Sequence, residues 1–315
     1  MRKNIWLNNK LYFLMGMVIF SVIYFSFKTP SLPISRYVVK YSTRIYTSVR
    51  KSPAVRKISN YLISQPADRL TFWDGNGSPA LGSKKISEID NMVSVFIPAG
   101  TFLMGSSDEQ SLEIERPQRQ IYLDEYWIDQ VPVTNAMYRR CMQSGVCEQP
   151  ASIYPEINAP EFNEYPVVYI TWYAADEYCH WVGGKLPSEA MWEKAARGTD
   201  GRLYPWGNQK PEAYLLNFNN NIGSPSIVGS YPEGASPYGV LDMAGNVREW
   251  MDDWFSESYF FDVPEENPTG PENGTYKALR GGSFSDGRDI VRSTTRLMHV
   301  PDSPGINRGF RCVRQ

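Results

Sequence analysis

The chain has 315 residues, and its hydrophobic fraction of 42% is enough to bury a sizeable core and excludes a globally disordered protein. Its 24 Gly and 23 Pro residues, together with nine Trp and 20 Tyr, indicate a domain rich in turns and loops. The formal net charge of −2 hides an asymmetry, because the first 57 residues hold eleven of the 32 Lys and Arg residues and none of the 34 Asp and Glu residues. A basic arm therefore precedes an acidic domain, and the acidic balance of that domain argues against nucleic acid as a partner.

The basic arm contains an uncharged apolar segment. Residues 1–10 form a basic N-terminus, and residues 11–27 (LYFLMGMVIFSVIYFSF) carry no charge. This segment is short for a membrane-spanning helix and also matches the hydrophobic region of a signal peptide. Residues 27–30 (FKTP) follow in place of a small-x-small cleavage site, which favours an uncleaved transmembrane signal anchor.

Residues 28–81 are interpreted as a basic juxtamembrane segment and a linker. Between residues 35 and 62, Tyr, Val and Ile alternate with cations, a pattern that fits a segment lying on an anionic membrane and equally a solvated linker. The stretch 74–81 (DGNGSPAL) marks the domain boundary, and we place the main domain at 92–315. The cations after the apolar segment outnumber those before it, which by the positive-inside rule would put this domain in the cytoplasm.

The main domain begins with short strand patterns. Residues 93–105 (VSVFIPAGTFLMG) contain two apolar runs around a Pro-Ala-Gly turn, which predicts a β-hairpin. Apolar residues then alternate from Ile121 to Ile128 and predict one strand. A helix is expected after Thr134, because its hydroxyl can accept a hydrogen bond from a free amide of the first helical turn.

Two further helices are predicted in the middle of the chain. Apolar residues recur at helical spacing from Thr171 to Trp181. The next helix opens at Ser188, a plausible cap, and its Trp192 and Ala195 fall on the face directed to the core.

Six segments follow one another along the main domain: residues 93–105, 115–141, 165–198, 204–208 (YPWGN), 238–254 (YGVLDMAGNVREWMDDW) and 279–312, which ends in GFRC. Taken together and in this order, they resemble the sulfatase-modifying-factor domain of formylglycine-generating enzymes. The resemblance covers roughly residues 92–315 and implies one compact α/β (α+β) domain of the formylglycine-generating-enzyme type, rich in loops and related to C-type lectin-like folds.

The resemblance implies two structural calcium sites. The implied ligands of the first are the side chains of Asp242 and Glu249 with the carbonyls of Gly245 and Val247, and those of the second are the side chains of Asn217 and Asn220 with the carbonyls of Phe218 and Ile222. Oxygen ligands of this kind suit calcium, a hard cation. In the second site the neutral Asn220 stands where the family has an acidic ligand, and the Asn and Asp residues of both sites could instead serve turns.

The four cysteines are expected to form two disulfides. Cys141 and Cys147 flank a short loop with a Gly, so a local bridge is geometrically plausible. Cys179 and Cys312 match two family positions that form a structural bridge. A domain with two disulfides requires an oxidising compartment, so we expect the main domain to be periplasmic or extracellular despite the cations that follow the apolar segment.

Formylglycine-generating enzymes use two further cysteines, just after a Gly-Gly-Ser sequence, to bind copper(I) and oxidise a substrate cysteine. In this chain Asp286 stands at the first of these positions, the loop is shorter, and no cysteine occurs between Leu279 and Arg311. We therefore expect no copper and no formylglycine formation. The two His residues, His180 and His299, belong to no ligand cluster, so a transition-metal site is not expected either.

Two functions remain. The first is a membrane-anchored, non-catalytic module that binds or scaffolds a protein, peptide or glycan, with Asp286, Asp289, Arg296 and Trp250 around the former substrate groove, although a Trp in this motif is commonly a core residue. The second is an oxidoreductase with altered, cysteine-independent chemistry that uses Asp286, Asp289 and Arg296 as polar site residues. A deep cavity lined by these side chains would favour the enzyme, and a shallow groove would favour the binding module.

Overall fold

The structure is a computed structural model that describes residues 73, 75, 77–109, 111–150 and 155–315. The predicted signal anchor at 11–27 and the basic segment that follows it lie outside the described residues. Within the described part of the chain, no helix combines the length and the apolar character needed to cross a bilayer.

The described residues form a mixed α/β domain with few helices. The three α-helices are α1 (Asn135–Ser144), α2 (Trp172–Trp181) and α3 (Glu189–Arg197). The strands are β1 (Lys84–Ile86), β2 (Val93–Ile97), β3 (Gly100–Met104), β4 (Arg119–Leu123), β5 (Tyr126–Asp129), β6 (Arg248–Trp254), β7 (Lys277–Arg280), β8 (Leu297–His299), β9 (Arg308–Gly309) and β10 (Val313–Arg314). Short 3-10 helices span Glu113–Glu115, Pro155–Asn158, Pro160–Phe162, Pro232–Gly234 and Tyr259–Phe261.

The strands assemble into three sheets. The first has the order β1-β2-β5-β10, with every neighbouring pair antiparallel. The second is the pair β3-β4, and the third has the order β8-β7-β6-β9, in which β6 and β9 run parallel. Because β1 is a member of the first sheet, the folded domain begins before the predicted start at Met92.

Two strand predictions are wrong, one in the pairing of its strands and one in the extent of a strand. The runs in residues 93–105 are strands, but β2 pairs with β1 and β5 whereas β3 pairs with β4, so they do not form a hairpin. The single strand predicted from Ile121 to Ile128 is divided into β4 and β5, which belong to different sheets. Local alternation marks which residues are extended, but the partner of each strand is fixed by burial against distant segments.

The predicted helix starts are confirmed. Each of the three helices begins after a Ser or Thr whose hydroxyl oxygen accepts a hydrogen bond from a backbone amide of the first turn. The caps are Thr134, Thr171 and Ser188, and the donors are the amides of Met137, Ala174 and Met191 at 3.3, 3.2 and 3.2 Å. Helix α1 ends at Gly145, which adopts a left-handed conformation with φ of 79° that favours glycine.

Helix α3 lies in the centre of the domain, and every one of its residues is buried. Its Trp192 and Ala195 are fully buried, as predicted. Its two acidic side chains pair with arginines from the third sheet and the loop before it: Glu193 with Arg280 at 2.6 Å and Glu189 with Arg296 at 2.7 Å. The core is therefore held by charge-assisted hydrogen bonds as well as by apolar packing.

Both predicted disulfides are confirmed. Cys141 is bonded to Cys147 at the end of α1, and Cys179 on α2 is bonded to Cys312 just before β10. The second bridge joins positions 133 residues apart and ties α2 to the C-terminal end of the chain.

Candidate functional site

The loop after residues 281–283 (GGS) places Asp286 in a fixed ion pair. Arg248 Nε and Nη2 donate to the two carboxylate oxygens of Asp286 over 2.9 and 2.6 Å. Ser283 donates to the same carboxylate from its amide and its hydroxyl, at 2.8 and 2.7 Å. Burial by itself would raise the pKa of Asp286, but the hydrogen bonds from Arg248 and Ser283 outweigh it and lower that pKa. Asp286 is thus an ionised, fully hydrogen-bonded carboxylate.

No thiol is available at this site. The sequence contains four cysteines, and all four are joined in the two disulfides. A copper(I) centre of the family type needs two thiolates, which this chain can supply only by breaking its own structural bridges.

Three loops meet beside Asp286. The amide of Asn219 donates to the backbone carbonyl of Asp286, and the amide of Asn220 donates to that of Phe284, each at 2.8 Å. The amide of Asn246 donates to the carbonyl of Asn217 at 2.8 Å. The loop at residues 217–220 is therefore fixed against the loop at residues 284–286, which corresponds to the copper-binding loop of formylglycine-generating enzymes, and the loop that contains Asn246 is fixed against both.

The first predicted calcium site contains two buried carboxylates in different environments. Asp242 Oδ2 accepts a hydrogen bond of 2.6 Å from the amide of Gly229, and burial, with the nearby charge of Glu249, raises the pKa of Asp242 to about 6. Both oxygens of Glu249 accept hydrogen bonds from Arg311 at 2.7 Å, and Trp192 Nε1 donates to Oε2 at 2.8 Å. Arg311 thus already supplies the positive charge that Glu249 requires.

The second predicted calcium site contains an unsatisfied buried oxygen. Asn217 is 1% exposed, and its side-chain Nδ2 donates to the carbonyl of Ser224 at 2.9 Å. Its Oδ1 is buried and has no hydrogen-bond partner. Asn220 and Ile222 are exposed, and the Phe218 carbonyl accepts one hydrogen bond, from Asn221 at 3.0 Å. Across the described residues, no cluster of three or more His, Cys, Asp or Glu side chains is placed to bind a metal.

The predicted binding residues do not share one surface. Trp250 is fully buried and donates from Nε1 to the carbonyl of Ile170, so it belongs to the core. Arg296 is also buried, because both oxygens of Glu189 accept hydrogen bonds from its guanidinium. Asp289 is exposed, and Asp286 is partly buried in its ion pair. The prediction that Trp250 and Arg296 lie at a substrate groove is therefore wrong, and both are structural residues of the core.

A groove that the sequence did not indicate lies elsewhere on the domain. It is open to solvent and has a volume of about 590 Å³. Its residues come from separate loops around β3, β4 and the 3-10 helix at Tyr259–Phe261, and no periodic pattern connects them in the sequence. They are Ser106, Ser107, Glu113, Arg116, Pro117, Gln118 and Phe261.

The comparison of the chain with known proteins identifies its family. The model of the sulfatase-modifying factor enzyme 1-like domain matches residues 79–315, and the chain belongs to this family. It is 30% identical to the formylglycine-generating enzyme of Thermomonospora curvata over 279 residues, which cover 70% of this chain and 92% of that enzyme. It is 31% identical to the hercynine oxygenase of Mycolicibacterium smegmatis, over 69% of this chain and 60% of the oxygenase.

A longer relative and a solved structure complete the comparison. The chain is 36% identical over 239 residues to a Chlamydia caviae protein named serine/threonine-protein kinase pkn1, a match that covers 70% of this chain and 37% of that protein. The chain thus spans little more than a third of the chlamydial relative. The structure of PvdO from Pseudomonas aeruginosa superimposes with a TM-score of 0.65 at 23% identity, covering 76% of this chain and all of PvdO, which shows a shared fold.

Proposed function

We propose that this chain is a non-catalytic member of the sulfatase-modifying-factor family that binds or scaffolds a protein, peptide or glycan. The observation that carries the proposal is the state of the site after residues 281–283. All four cysteines are in disulfides, and Asp286, at the position of a copper ligand, is fixed by Arg248 and Ser283. A copper ion that would oxidise a substrate cysteine therefore has no thiolate ligands at this site.

The open groove supports binding of a polar, extended ligand. Its lining combines a cation, a carboxylate and an amide, namely Arg116, Glu113 and Gln118, with the half-exposed ring of Phe261 at one side. Convergent polar groups beside an aromatic ring can orient the hydrogen-bonding groups of a peptide or a glycan. The open shape is expected of a surface that binds a macromolecule rather than one that encloses a reacting substrate.

The rival proposal, an oxidoreductase with cysteine-independent chemistry, receives less support. Family members such as the formylglycine-generating enzymes and hercynine oxygenase are enzymes by name. Two of the three residues that this chemistry would use are already held in ion pairs, because Asp286 pairs with Arg248 and Arg296 pairs with Glu189. The third, Asp289, is exposed on the loop. None of the three side chains lines the open groove.

Calcium is proposed as a structural ligand of the Asn217 loop. The buried, unpartnered Oδ1 of Asn217 is a hard oxygen without a donor, which is the kind of group that a calcium ion satisfies. The carbonyl of Phe218 has one remaining lone pair for the same ion. The Asp242 and Glu249 pair fits a cation less well, since Arg311 already neutralises Glu249.

Membrane anchoring through residues 11–27 and a location outside the cytoplasm remain part of the proposal. The two disulfides support an oxidising compartment, and the uncharged segment supports an anchor. In this arrangement the basic arm contacts the membrane surface, and the domain, with a C-type lectin-like architecture, presents its groove to partners.

A direct assay tests the catalytic part of the proposal. The full chain is incubated with copper(I), oxygen and a sulfatase-type peptide that contains one cysteine, with the Thermomonospora curvata enzyme as the positive control. We expect conversion to formylglycine by the control and none by this chain, as followed by mass spectrometry. Formylglycine produced by the chain would overturn the proposal.

A second assay tests the binding part. A photo-crosslinking amino acid is placed at Phe261 in the groove and, as a matched control, at exposed Tyr214, and both variants are expressed in the native membrane. We expect a specific adduct from position 261 that position 214 does not give. Identical adducts from both positions would show that the groove is not the binding surface.

A further inference from the structure

Arg308 on β9 is a buried cation without a carboxylate partner. Its residue is 8% exposed, and among the described residues no Asp or Glu lies within salt-bridge distance of it. Its Nη2 donates to the carbonyl of Pro304 at 2.7 Å, whereas its Nε is buried with no partner at all. Buried charges in folded proteins are normally paired, because an unpaired one carries the full cost of desolvation.

A second arginine lies directly beside it. Arg248 on β6 is the register partner of Arg308 in the parallel β6–β9 pair. The nearby carboxylate, Asp286, already accepts two hydrogen bonds from Arg248. Burial, and then the charge of Arg248, lower the pKa of Arg308. Asp286 thus balances the charge of Arg248 alone, and the two adjacent guanidinium groups together lack one negative charge.

The guanidinium of Arg308 is held in place by the loop that precedes it. Gly305 packs so closely that a Cβ on it would lie 2.3 Å from Nη2 and 2.8 Å from Cζ of Arg308. The amide of Tyr169 donates to the Gly305 carbonyl at 3.0 Å and fixes the loop. The side of the arginine pair formed by Arg248 is open to solvent, since the Arg248 side chain retains 23% exposure. A positioned guanidinium with solvent access beside it is the arrangement that proteins use to bind planar or tetrahedral oxyanions.

We propose that Arg308, together with Arg248, binds an oxyanion group of a ligand, a carboxylate or a phosphate, beside the loop that carries Ser283. The inference goes beyond the proposed function, because neither arginine lines the open groove. It adds a separate binding position whose ligand carries a negative charge. A carboxylate would come from an acidic side chain or a chain terminus, and a phosphate from a phosphorylated group. The bound oxyanion supplies the missing negative charge.

The experiment uses thermal unfolding of the full chain at constant ionic strength, with sodium chloride exchanged for sodium phosphate or for sodium acetate. Three variants are compared with the wild type: Arg308→Met removes the cation, Gly305→Ala displaces it while keeping its charge, and Arg288→Met removes an arginine whose side chain is 57% exposed. Phosphate stabilises proteins in general, so the informative quantity is the difference between wild type and variant.

We expect a concentration-dependent rise in Tm that is larger in the wild type and Arg288→Met than in Arg308→Met and Gly305→Ala. Loss of one charge-assisted contact should weaken the apparent affinity by about tenfold or more. If the difference in Tm rise between wild type and Arg308→Met is larger with phosphate than with acetate, the group is a phosphate, and the reverse assigns a carboxylate. Equal responses in wild type and Gly305→Ala, or no response to either anion, would overturn the proposal. Formylglycine formation by the wild type would instead refute the non-catalytic function and leave the oxyanion response unchanged.

Discussion

Trp192 and Glu249 are joined by a hydrogen bond of 2.8 Å from the indole Nε1 to the carboxylate Oε2, which ties α3 to β6. The same carboxylate accepts two hydrogen bonds of 2.7 Å from Arg311, so β6 is also tied to the C-terminal segment. All three side chains are fully buried. This three-residue contact joins the central helix, the third sheet and the residue beside the long-range disulfide.

Replacement of Glu249 by Gln should strongly destabilise the domain. The substitution keeps the shape of the side chain but leaves Arg311 as a buried charge without a counterion, which costs about 3–5 kcal/mol. Urea unfolding followed by tryptophan fluorescence measures the loss. Glu257→Gln, at an exposed position, is the matched control and should leave the unfolding midpoint unchanged. A similar small shift in both variants would mean that the ion pair contributes little.

The long-range disulfide should contribute more to stability than the local one. Cys179 and Cys312 are 133 positions apart and Cys141 and Cys147 are six apart, so the first bridge restricts the unfolded chain far more. In the chain-entropy model the double variant Cys179→Ser, Cys312→Ser loses about 5 kcal/mol, and Cys141→Ser, Cys147→Ser about half of that. Guanidinium unfolding of the two double variants gives the ratio. Equal losses would indicate that native packing at each bridge, rather than loop length, sets its contribution.

The sequence predicted the local features well because they depend on neighbouring residues. Thr134 and Ser188 cap helices through amides three positions away, and Gly145 allows the chain to turn toward Cys147. The pairing of β2 with β5 was not predictable from alternation, because their contact is decided by long-range packing.

The candidate site was predictable only where a motif identified the residue. The place of Asp286 followed from its distance after residues 281–283, but its pairing with Arg248, 38 positions away, did not. The same holds for Arg308, since the sequence shows a cation at this position but neither its short strand nor the absence of a carboxylate within reach of it. Charge pairing across a fold depends on which side chains the topology brings together.

Acid should weaken the domain through Asp286. Its pKa in the folded state is lowered from the ordinary value of 3.8, so the folded state favours the ionised carboxylate. The resulting stabilisation is fully present above pH 3.8 and is lost as the pH falls through the lower folded-state pKa. Asp286→Asn should therefore lose less stability than the wild type when the pH is lowered below that value.

Urea midpoints measured across this acid range provide the test. Asp289→Asn, three positions along the same loop and exposed, is the control and should follow the wild type. If Asp286→Asn and the wild type lose stability in parallel, the ion pair with Arg248 does not contribute to the acid sensitivity of the fold.

Calcium should stabilise the domain through Asn217. The buried Oδ1 of this residue lacks a donor, and an ion bound there would satisfy it together with the carbonyl of Phe218. Because the loop offers neutral oxygens, we expect weak binding, a rise in Tm on addition of calcium, and reversal by a chelator. Asn217→Ala should lack the calcium response, whereas Asn221→Ala, an exposed neighbour in the same loop, should keep it. Differential scanning calorimetry with elemental analysis of the dialysed protein measures both effects. A Tm that is the same with calcium and with chelator, and no bound metal, would leave the Asn217 oxygen as an unsatisfied group of the fold.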